Sequence, residues 1–134
     1  MARILLLVAA ALGIAAAIVG GYHGYGEVLQ GDPIPQGIMI NAFGGPDCPP
    51  NGDAMCFPAM TILPLSFGVI GIITIIIAGV TLFAAVTTVR GRDRGLGLVL
   101  TSIPLLLVGG GFLAPILGFV GAGIAAIGSR KRRP

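Results

Sequence analysis

Charge is what this sequence has least of. Asp, Glu, Lys and Arg together make up 10% of its 134 residues, against roughly 25% in ordinary soluble domains. A soluble fold needs a polar surface, and so thin a supply of charge excludes one. Trp is absent and Tyr occurs twice, so a strong aromatic belt at the membrane interfaces is excluded too. The two cysteines argue against the four-helix membrane oxidoreductases, which pass electrons to quinones through more than one cysteine pair. With a single His, no Ser/His/Asp set, no strand-borne phosphate loop and no paired intramembrane carboxylates, no catalytic constellation is visible. The reading is of a non-enzyme without cofactor or metal.

What is present is apolar. Hydrophobic residues make up 55% of the chain and the mean hydropathy is +1.01. The 23 glycines fit membrane helices, which tolerate Gly better than soluble helices do. The class is integral membrane protein. A net charge of +3 could suggest nucleic acid, but the basic residues are placed otherwise. They are Arg3, then Arg90, Arg92 and Arg94, then Arg130, Lys131, Arg132 and Arg133. Each group abuts an apolar run. That is topological placement and not a phosphate-tracking stripe, so nucleic acid is excluded as a partner.

Apolar runs and their breaks predict an all-α integral membrane protein of one domain, residues 1–134. It is expected to be an antiparallel four-helix transmembrane bundle with one extracytoplasmic Gly/Pro-rich loop. The spans fall at about 4–22, 62–88, 94–109 and 112–128, with an external loop at 23–60, a basic connector at 90–95 and a basic tail at 129–134. The first run could also be a signal peptide, because a basic MAR precedes it and IAAA offers small residues for cleavage. The stretch 96–128 is too long for one helix within the usual tilt range. Its break is placed at Gly109-Gly110-Gly111, with Pro115 in the first turn of the next helix. Pro104 is expected to bend the helix before the break. The alternative is three spans with a bent or re-entrant last segment. The span interiors contain no Asp, Glu, Lys, Arg or His, which argues against proton-coupled transport. His23, beside an interfacial Tyr, reads as a headgroup-level anchor.

Positive residues near membrane ends mark the cytoplasmic side. With four spans, Arg3, the RGRDRG connector and the SRKRRP tail all fall inside, and the 23–60 loop, which has no Lys or Arg, falls outside. Both termini are then cytoplasmic, in a plasma or cytoplasmic membrane. Arg130, Lys131, Arg132 and Arg133 can bind anionic lipid headgroups. Cys48 and Cys56 lie in the outside loop, separated by the turn-forming PPNGDAM. On the oxidising side this reads as a disulfide. Soft ligands in the same loop (Met39, Met55 and Met60 with the cysteines, His23 at its start) leave a copper-handling or redox alternative.

Small residues recur every four positions at Ala9, Gly13, Ala17 and Gly21, and again at Gly118, Ala122 and Ala126. Such ridges let helices approach closely. One is expected to serve the internal bundle and the other a partner. The layout, four spans with two cysteines in the first external loop, resembles the claudin-like tetraspan proteins. That family's Trp-containing motif is missing, and the resemblance implies no residue roles here. The function expected is that of a small accessory or assembly subunit of a larger membrane complex, with membrane lipids and either a membrane-protein partner or further copies of itself around it. The alternative is a homo-oligomeric channel or small-solute transporter with a polar path near Thr74, Thr81 and Thr101.

Overall fold

The computed structural model describes residues 1–32, 61–63, 65–90 and 95–130. The expected Cys48–Cys56 disulfide, the three loop methionines and Lys131, Arg132 and Arg133 lie outside the described residues. Among the described residues there are four helices and no strand: α1 (Ala2–Gln30), α2 (Phe67–Thr88), α3 (Leu96–Val108) and α4 (Leu113–Arg130).

The break between α3 and α4 falls in the triple glycine. Gly109 has φ 148 and Gly111 φ 69, conformations that side chains disfavour. The N–H groups of Gly109 and Gly110 both donate to the carbonyl of Leu105, which closes the end of α3. Pro104 lies inside α3, where it removes the N–H that would bond the Leu100 carbonyl. Pro115 lies near the start of α4, where a missing N–H costs little.

The first helix differs from the expected 4–22 span. It continues through His23 and Glu27 to Gln30, into what the sequence reads as the start of an external loop. It stops at Gly31, at φ 74. The Gly31 carbonyl then accepts the N–H of Gly68 at 2.7 Å, which fixes the end of α1 to the start of α2. That second helix begins at Phe67 and not at residue 62.

Each helix packs on its two neighbours in chain order, with α4 returning to α1. Close approaches give the directions. Gly13 meets Ala85 and Gly24 meets Gly71, so α1 and α2 are antiparallel. Gly121 meets Ala9 and Gly128 meets Leu5, so α4 is antiparallel to α1 as well. Gly118 meets Ser102 and Gly95 meets Ala122, which sets α3 against α4.

Burial follows a seven-residue spacing. In α1 the buried positions include Leu6, Gly13, Gly20 and Glu27; in α2, Thr74, Thr81 and Thr88; in α3, Leu98 and Leu105; in α4, Ala114, Gly121 and Gly128. A period of seven keeps one seam inward and implies left-handed packing at shallow crossing angles. Across the bundle, Leu98 fills the space over Gly13 and Gly121, and Leu105 fills that over Gly20. Large side chains on α3 thus fit the glycines of α1 and α4.

Three helices, α1, α2 and α4, are long and apolar enough to cross a membrane. With 13 residues, α3 is about 20 Å long at roughly 1.5 Å per residue, short of a hydrocarbon layer of about 30 Å. The outer faces carry large exposed apolar side chains, Phe83 at 72% and Ile76 at 61% among them. Such a surface suits lipid and not water.

Candidate functional site

The most unusual place in the bundle is the end where α1 finishes and α2 begins. Gly24 and Gly71 bring the two backbones together so closely that a Cβ on Gly24 would lie 2.8 Å from the Gly71 carbonyl oxygen. One turn further along α1, the seven-residue spacing that places Leu6, Gly13 and Gly20 inward places Glu27 there too. Its side chain is fully buried. From the sequence, ionisable side chains stay out of the spans and His23 is a headgroup anchor; the longer α1 instead carries His23 and Glu27 into the packed end of the bundle.

The surroundings of the Glu27 carboxyl are specific. Thr74 of α2 donates its hydroxyl to Glu27 Oε2 at 3.4 Å, a long hydrogen bond. His23, one turn back on α1, places Nε2 3.7 Å from Oε1, beyond hydrogen-bonding range. Oε1 is buried with no hydrogen-bond partner among the described residues. Ile70 and the backbone of Gly109 close the other side. A Cβ on Gly109 would lie 2.6 Å from Oε1 and 2.7 Å from the Ile70 side chain. Gly111 stands against the His23 ring, 3.1 Å from Nδ1 by the same measure. Only the His23 side chain in this group reaches the surface, and it is 14% exposed.

Most other buried hydroxyls of the bundle are used by their own helices, although Ser129 Oγ is also buried without a hydrogen-bond partner among the described residues. Thr81 donates to the Ile77 carbonyl, Thr88 to that of Ala84, Thr101 to that of Gly97 and Ser102 to that of Leu98. Thr74 and Thr81 are fully buried inside the chain's own bundle. Among the described residues no group of three His, Cys, Asp or Glu could hold a metal.

The small-residue positions are distributed differently from the expected division of labour. Ala9, Gly13 and Ala17 are buried inside the chain's own bundle and Gly21 partly so; a Cβ on Gly21 would lie 3.7 Å from the Ala78 side chain. Gly118, against Ser102, and Ala122, in a cluster with Ala84, Ala85 and Leu98, are buried there as well. Ala122 and Ala126 both border an apolar groove of about 550 Å³ between α3 and α4, lined also by Val99, Phe119 and Gly123. Arg130 is exposed in the last turn of α4.

No protein-family model matches the chain, and no curated protein or solved structure is significantly similar to it.

Proposed function

We propose that this protein is a small non-enzymatic integral membrane protein that works as an accessory or assembly subunit, docking an apolar helix of a partner into the groove between α3 and α4. In this reading the four helices form a transmembrane bundle with both termini and the basic connector on the cytoplasmic side. The observation that carries it is the groove itself. Ala9, Gly13 and Ala17 of α1, and Gly118 of α4, are consumed by packing within the chain. A Cβ on Gly123, by contrast, would meet nothing within 4 Å, and Gly123 lies with Ala126 in an open apolar trough. Helix association in lipid depends on such close-fitting small-residue surfaces, because lipid tails supply no hydrophobic drive. The buried hydroxyls of Thr74 and Thr81 weigh against the channel alternative, which needs them at a wet interface.

The test is to purify the full chain from its native membrane in mild detergent and determine the mass and composition of the particle. A heteromer of fixed stoichiometry is expected. Gly123→Leu, which fills the groove where the monomer has room, is expected to release the partner while leaving the helix content unchanged. A monomer or homo-oligomer in the unaltered protein, or a heteromer indifferent to Gly123→Leu, contradicts the proposal.

A further inference from the structure

We propose that Glu27 is a proton-binding site, whose carboxyl takes up and releases one proton through His23. The chain has one His and one glutamate, and they stand four residues apart on the same face of α1. Glu27 is fully buried, and its Oε1 has no hydrogen-bond partner among the described residues. Buried polar groups are nearly always satisfied, so a buried carboxyl oxygen without a partner calls for an explanation. A carboxyl serving packing alone would have its oxygens engaged.

The geometry selects the ligand. Around the carboxyl, α1 presents His23, α2 presents Thr74 and Ile70, and the turn after α3 presents the backbone of Gly109. His23 is the one titratable group among these contacts. The donor set is two carboxylate oxygens, one imidazole and a hydroxyl already donating to the carboxyl. Ca²⁺ takes 6–8 oxygen ligands and Mg²⁺ an octahedron that keeps several waters. Gly109 also fills the space over Oε1, where even a methyl group would sit 2.6 Å away. A hydrated ion does not fit, but a proton needs no such volume.

His23 supplies the path. Its Nε2 is 3.7 Å from Oε1, and its side chain is 14% exposed where Glu27 is fully covered. Nε2 is itself buried, so a proton from water binds the ring at Nδ1 and gives the imidazolium. The proton on Nε2 then passes to Glu27 Oε1, so that one N–H bond breaks, one O–H bond forms and the neutral ring is restored. Release runs the same steps backwards. The net change is one proton gained and one negative charge removed from the packed junction of α1, α2 and the α3–α4 turn. This site stands apart from the docking groove, so either proposal can fail without the other.

The experiment uses the uniqueness of the glutamate. Full-length protein made with carboxyl-¹³C glutamate and placed in lipid nanodiscs reports on Glu27 alone by infrared spectroscopy. On acidification, the isotope-shifted carboxylate bands are expected to give way to the C=O band of a protonated carboxyl, one proton per chain. In D₂O that band is expected to exchange slowly, and about tenfold more slowly still in His23→Phe, because a positioned proton-transfer group is removed. A label that stays carboxylate at every pH where the helices persist overturns the proposal. A protonated signal that never titrates overturns it equally, and exchange as fast in His23→Phe as in the unaltered protein removes His23 from the path. The titration itself needs no substitution, so a variant that fails to fold does not obstruct it.

Discussion

At the scale of single residues, Gly109 and Gly79 make a sharp contrast. Gly109 sits at φ 148 with the Glu27 carboxyl and Ile70 against it. Gly109→Ala therefore meets backbone strain and collision together, and a loss of about 1–3 kcal/mol is expected. Gly79, in the middle of α2, has nothing within 4 Å. Gly79→Ala is expected to be neutral or to stabilise by up to about 1 kcal/mol, through helix propensity alone. Thermal unfolding in mixed micelles separates the two. Equal effects would mean that the turn after α3 does not press on Glu27 as described. The sequence shows that Gly109 lies in a break, but not that it covers a carboxyl. That contact joins residues far apart in the chain and leaves no local signal.

At the scale of elements, the seven-residue seam organises the packing, and α3 supplies its largest members. Leu105 is fully buried and fills the space over Gly20 and beside Gly110. In soluble cores Leu→Ala costs about 2–5 kcal/mol through transfer and cavity terms together. In lipid the transfer term largely disappears, because the alternative environment is as apolar as the core. Leu105→Ala is therefore expected to cost about 2 kcal/mol, near the lower end, measured by reversible unfolding in micelles. A cost near zero would mean that Leu105 is not seated between the glycines. Helix boundaries are legible where chemistry marks them: the sequence places the break between residues 109 and 112, and it lies between Val108 and Leu113. The end of α1 is not legible in this way. Hydropathy falls at Tyr22, and GYHGYGEVLQ has the composition of a loop. Yet the seven-residue series from Leu6 through Gly13 and Gly20 arrives at Glu27, and Gly24 meets Gly71. Following the period instead of the composition carries the helix through Glu27. A spacing of four drifts around a helix, which is why Gly21 and Ala126 leave the seven-residue seam.

At the scale of the whole molecule, the antiparallel order gathers charge by end. Arg3, Arg90 and Arg130 lie at the end where Gly128 meets Ala2 and Leu5, and Glu27 lies at the other. Segregation of basic residues to one end is what orients a membrane protein. The apolar outer faces and the three long helices agree with a membrane setting. The length of α3 does not by itself: with 13 residues a crossing would need its flanking glycines, snorkelling arginines or local thinning of the bilayer to complete it. Whether α3 crosses determines whether the chain has an even number of passes, and so where its two ends lie. The most direct test places a small tag at each terminus and probes its accessibility from either side of sealed membrane vesicles. Both tags are expected on the cytoplasmic side, together with a labelled cysteine introduced at Arg90. Termini on opposite sides would contradict the four-pass bundle.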